Sequence, residues 1–205
     1  MAELSRRSGV PVATIKYYLR EGLLPPGAAT AATRAAYNDG HVRRLRLIRA
    51  LVEIGELPIA AVKYILSRVD DETVSLHDMF GSVQYALGPD TPPADDAARG
   101  EVDELIETLG WRITPRSPAR GLLAASISAM RAAGVPDGPG LRTYAEALRA
   151  LADQEVASVA SAAARSRVEA AEAAVAGMVL HERMLIALRR LAQEDASGHR
   201  YRAEP

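Results

Sequence analysis

The sequence predicts a mainly α-helical protein with a helix-turn-helix at its start and further helices to its end. Two observations carry that prediction. Apolar residues recur at helical spacing through most of the 205 residues. Pro- and Gly-rich stretches at 88–100 and 134–140 divide the second half into separate helical segments rather than strands. At the start, Ala2 to Ser8 is expected to form a short helix with Leu4 inward and Arg6 and Arg7 free for phosphates. Gly9 supplies the permissive backbone of a turn, and Pro11 is tolerated in the first turn of the next helix. In that helix Val12, Ile15 and Leu19 share an inward stripe, which leaves Lys16, Tyr17 and Arg20 pointing elsewhere, as a reading helix requires. Tyr17 and Tyr18 cannot face the same side, and Tyr17 is the one expected outside. Gly22 ends the helix, and Pro25-Pro26 prevents its continuation.

The run Gly9-Val10-Pro11-Val12-Ala13-Thr14-Ile15-Lys16-Tyr17-Tyr18, followed by Glu21-Gly22-Leu23-Leu24-Pro25-Pro26, closely resembles the opening of the MerR family of transcriptional regulators. That family begins with a winged helix-turn-helix whose wing ends in an Arg and a Tyr, and continues with two helices. Arg34 and Tyr37 match the wing, and His41 to Ile54 and Pro58 to Leu66 match the helix pair. The resemblance implies a mainly α fold, a MerR-like winged helix-turn-helix domain followed by an all-helical C-terminal domain. It also implies a homodimer on a palindromic promoter site in double-stranded DNA, deformation of that DNA, and RNA polymerase as a partner. Lys16, Tyr17, Arg20 and Arg34 are then the expected backbone anchors. Val12, Ala13 and Thr14 lie at the helix N-terminus where base edges are reached. Arg6, Arg7, Tyr18, Tyr37 and Arg43 complete the expected DNA-binding set.

Asn38-Asp39 is a capping signal for the helix after the wing. Val42, Leu45, Ile48 and Val52 make its core stripe, with Arg43, Arg44, Arg46 and Arg49 expected on the other faces. Gly55 and Pro58 bracket the next boundary, and Ile59, Val62, Ile65 and Leu66 mark a second amphipathic helix that Asp70-Asp71-Glu72 closes. The segment Val74 to Leu87, interrupted by Gly81, is short for the family's dimer helix. Dimerisation is therefore expected to rest on the last helix as well. Residues 88–100 read as a linker, and helices are expected at Glu101 to Leu109, Pro118 to Ala133, from Leu141 onward, and from about Val168 to Glu194. The last is apolar on more than one side and needs two partners. The expected domains are 1–70 for DNA binding, 71–100 for the connecting helix and linker, and 101–205 for an all-helical effector or dimerisation domain.

Charge agrees with this division. Residues 1–69 carry 11 Lys or Arg against 5 Asp or Glu, whereas the whole chain is at −1. A basic block on a nearly neutral protein is the footprint of phosphate binding. With no cysteine, thiolate and disulfide chemistry are excluded, and a cytoplasmic location fits. No apolar run is long enough to predict a membrane span. His41, His77, His181 and His199 are scattered, and no metal site, cofactor or catalytic constellation is expected. In the helical module Trp111 reads either as a core plug or as a ligand platform. Together Trp111, Met130, Tyr144, Leu148 and Met184 are the candidates for a cavity that takes a hydrophobic small-molecule effector. The alternative is a module that docks a protein partner.

Overall fold

Gly9 closes the first helix in the left-handed conformation, φ 73°, and its N–H bonds the Ser5 carbonyl. A side chain there would be strained and would also press on the Arg49 guanidinium, at 3.2 Å from its Cβ. The turn joins α1 (Ala2–Ser8) to α2 (Val12–Arg20). After it come the wing strands β1 (Ala28–Ala31) and β2 (Arg34–Ala36), then α3 (Asp39–Arg49), a π-helical turn (Ala50–Ile54) and α4 (Ile59–Asp70). The rest is α5 (Leu76–Leu87), α6 (Asp96–Thr108), α7 (Pro118–Ala132), α8 (Leu141–Ala163) and α9 (Arg167–Tyr201). This computed structural model describes residues 1–31, 34–88, 93–136, 140–164 and 166–201. The side chain of Arg34, the wing residues Ala32 and Thr33, the linker residues 89–92 and the turn residues 137–139 lie outside the described residues. No described helix is long and apolar enough to cross a membrane.

The contacts divide the chain into two units, Met1–Val74 with Ser166–Pro205, and Ser75–Arg165. In the first, Ile15, Leu45, Ile48, Leu51, Val62 and Ile65 are fully buried. Asn38 caps α3 by accepting the His41 N–H at 3.2 Å. The expected stripe of α3 shifts at its end: Leu51, not Val52, is fully buried. The π turn adds a residue to the helical repeat and rotates the apolar register by that amount. A larger departure concerns α9. Expected within a C-terminal domain, it packs instead on α3, α4 and the π turn. The face it uses is Ala170, Ala171, Ala174, Val175 and Val179. Three alanines let the helix backbones approach closely, and burying the two valines contributes about 1.5–3 kcal/mol each.

In the second unit, α6 and α7 form a pair around Ala98, Val102, Ala124 and Ile127. Asp95 caps α6 by accepting the Ala98 N–H at 2.7 Å. The helix begins five residues before the expected Glu101 because Asp95 caps it there. α5 runs through Gly81, with Met79 and Val83 buried beside it. α8 is 23 residues long, yet Ala145 is its single buried residue.

Where α9 crosses the π turn, a Cβ at Gly55 would stand 2.9 Å from Val179 Cγ1 and 2.8 Å from the Leu51 carbonyl. Gly55→Ala is therefore expected to destabilise the first unit by about 1–3 kcal/mol through overpacking. A urea midpoint equal to that of the parent would show that α9 does not press on this turn.

Candidate nucleic-acid interface

α2 is amphipathic, and its burial pattern sorts the expected contact residues. Ile15 is fully buried, while Ala13, Lys16 and Arg20 are exposed and Val12, Thr14 and Tyr17 are half-buried. Tyr17 is half-buried and less covered than Tyr18, its ring 5.8 Å from that of Tyr18. Tyr18 is a correction to the contact set. It is 5% exposed and packs in the core, where burial raises its phenol pKa. Its backbone carbonyl accepts the N–H groups of both Leu23 and Leu24, at 2.9 and 3.3 Å, so it helps to seat the turn that follows the helix.

The wing strands pair antiparallel in the register Ala28↔Ala36, Ala29↔Ala35 and Ala31↔Arg34, with an irregularity between Ala29 and Ala31. At its base the half-buried Tyr37 ring meets His41 edge-on at 5.1 Å.

Charge pairing separates the cations further. Lys16 and Arg20, four residues apart on one face of α2, make no ion pair or hydrogen bond among the described residues. Arg6 pairs with Glu3, and Arg7 with Asp39. The second pair raises the Arg7 pKa and lowers that of Asp39, chiefly through their hydrogen bond. Arg43 faces α9, with Glu169 at 3.1 Å and Glu172 at 3.4 Å, so it is held by carboxylates. Lys63 of α4 reaches Glu21 at the end of α2, at 2.7 Å.

Arg44 overturns the expectation of an outer-face residue. It is 7% exposed. It donates to the Leu23 carbonyl at 3.1 Å and to both oxygens of Asp70 at 2.8 and 2.6 Å. Helical spacing alone gave no signal for this, because the partner lies 26 residues away on another helix.

The expected effector residues are distributed over both units. Met130, Tyr144 and Leu148 are exposed on α7 and α8, and Trp111 is half-buried in the loop after α6. Met184 belongs to α9, in the other unit, and is exposed as well. A cleft of about 430 Å³ in the second unit has a mixed lining, with Val102, Pro115 and Pro118 beside Arg99, Asp103, Arg116 and Arg120.

A short helix, a glycine turn, an exposed second helix with two uncompensated cations, and a two-stranded wing define a winged helix-turn-helix head. The model of the MerR helix-turn-helix family of regulatory proteins matches residues 1–69. The HTH-type transcriptional regulator HmrR of Sinorhizobium medicae (strain WSM419) is 32% identical over 79 residues, which are 38% of this chain and 53% of that relative. The chain thus spans about half the length of this curated relative. The crystal structure of SCO5550 from Streptomyces coelicolor A3(2), assigned as a transcriptional regulator, is 40% identical with a TM-score of 0.77. The match covers 100% of this chain and 98% of that one. The chain belongs to the MerR family of transcriptional regulators.

Glu172 yields a pH test of the contact between α9 and the head. Burial, the largest cause, pushes its carboxyl pKa up, against the lowering pull of Arg43 and Arg44. A carboxyl raised in the folded state takes up protons on folding. Its contribution is full below the unfolded pKa and is lost as pH rises through the folded one. Glu172→Gln is expected to gain melting temperature over the parent as pH climbs out of the carboxylate range. A difference that shrinks with rising pH would show that the pairing with Arg43 outweighs burial.

Proposed function

We propose that this chain binds a palindromic promoter site as a homodimer and alters transcription by deforming the DNA between the two heads. The observation that carries the reading is the pair Lys16 and Arg20 on the exposed face of α2, which have no ion-pair partner among the described residues. Cations without internal partners are available to phosphates, and with Ala13 and Thr14 near the helix start the groove meets small side chains rather than long polar ones. Small side chains reach few base-edge groups, so selectivity comes largely from how readily a sequence deforms. RNA polymerase is the partner that would use the reshaped promoter. Arg43, Arg6 and Arg7 belong to a second tier, because each would have to exchange a carboxylate for a phosphate.

Homodimerisation is supported by α9 beyond the head. Leu180, Met184, Leu188 and Leu191 recur along one side of the helix and are 37–62% exposed. A second copy of the same stripe would cover them. Regulation by a small effector belongs to this reading. A second reading, in which the helical module docks a protein, is favoured by α8, where Tyr144, Leu148 and Val156 are 45%, 49% and 61% exposed.

Lys16→Ala and Arg20→Ala are each expected to weaken binding to all duplexes and to lower the salt slope of log K by about 0.9. The measurement is a salt titration on a duplex that the full chain selects from a random-sequence pool. If the parent selected no duplex, DNA recognition by this head would be abandoned. Separately, Leu180→Glu with Leu188→Glu is expected to give folded monomers in sedimentation at micromolar concentration, with the parent's helical content retained. A variant that remained dimeric would move the dimer seam away from α9.

A further inference from the structure

Both covalent connections between the two units meet the head at one place. The chain leaves the first unit after Val74 and returns at Ser166. Arg167, the first residue of α9, donates to the carbonyls of Asp71, at 3.2 Å, and of Val74. Asp71 is also near Arg68, at 3.6 Å. Immediately before this exit segment, Asp70 is gripped by both terminal nitrogens of Arg44. The same Arg44 donates through Nε to the carbonyl of Leu23, in the turn that ends α2. Four elements are thus tied in series: the start of α9, the exit segment, the end of α4 and the turn after the reading helix.

We propose that Arg44 and Arg167 form a clamp that positions the reading helix, so that displacement of either connection to the second unit reaches Leu23 through Asp70. The proposal rests on the reading of α2 as the helix that meets DNA. Neither arginine need touch DNA; each is a positioning residue. Arg44 is suited to the task because a planar guanidinium fixes direction as well as distance to a carboxylate, and its Nε–H is aimed at the Leu23 carbonyl in the adjoining turn. Arg167 is suited to being the releasable end. Its Nη1 and the Nε of Arg68 are buried without a partner among the described residues. A guanidinium that leaves a buried N–H unbonded is held less firmly than a saturated one, so a modest pull on α9 suffices to free it. The clamp gives the second unit a physical means of changing the head without any contact to the nucleic acid.

The test uses the full chain and two independent readouts. Arg167→Ala is expected to raise the hydrogen-exchange rates of the Leu23 and Leu24 amides by about tenfold, although those amides lie far away in sequence and bond Tyr18 rather than any clamp residue. On DNA, Arg167→Ala is expected to lower affinity for the selected duplex by about tenfold while affinity for a random duplex and its salt slope stay unchanged. Arg167→Lys should recover part of both effects. Arg44→Lys should produce the same two changes, and adding Arg167→Ala to it should add little, as for links of one chain. Faster exchange confined to residues 71–74 and 166–170, or a uniform acceleration over the whole head, would overturn the proposal. So would equal losses on the selected and the random duplex. If the parent selects no duplex, the DNA-binding reading falls by itself, and the exchange arm still decides whether the clamp reaches Leu23.

Discussion

The packing of the alanine face of α9 against α3, α4 and the π turn is the contact on which the first unit depends. A helix-turn-helix head of about seventy residues buries a smaller fraction of the surface that its unfolded chain exposes than a larger domain does, and is marginal by itself. Ala170, Ala171 and Ala174 present little side chain, and their value lies in letting a helix of 35 residues sit close enough to seal the core with Val175 and Val179. Gly55 is the complementary concession on the other side, since any side chain there would meet Val179. Arg43 then finds its carboxylates on α9, and Arg167 reaches the end of α4, only because this contact has brought the helices together.

The head was legible because its signals are local. A glycine turn, a period of three to four in Val12, Ile15 and Leu19, a proline stop and a capping Asn all act within a few residues, and they fix α1, α2 and the start of α3 without reference to the rest of the chain. The sorting of Tyr17 from Tyr18 was legible for the same reason, as a matter of angle on one helix. The role of Arg44 was not. Its environment is made by Leu23 and Asp70, and from sequence it belongs to an arginine run that reads as a solvated face. The place of α9 was hidden for a related reason. Leucine and methionine drew attention to its second half, whereas the buried face is built from alanines, which carry almost no hydrophobic signal in a periodicity argument.

The second unit shows the limit of composition as a guide to ligands. Methionines, a tryptophan and leucines on helices suggested an apolar cavity, but an enclosed cavity requires those side chains to converge. Here α6 and α7 close a small core of their own, while α8 leaves most of its length uncovered. Apolar residues displayed in this way serve association better than enclosure.

The first unit is discontinuous in sequence, and this bears on how the protein is made. Residues 1–74 leave the ribosome well before residues 166–201, which complete their core, with a separate unit of about ninety residues in between. Contacts between chain segments this far apart form slowly, because a long loop must be closed before they stabilise anything. The nascent head is therefore exposed until synthesis is nearly finished. A chain cut short by premature termination would carry an intact recognition sequence but no lid for its core.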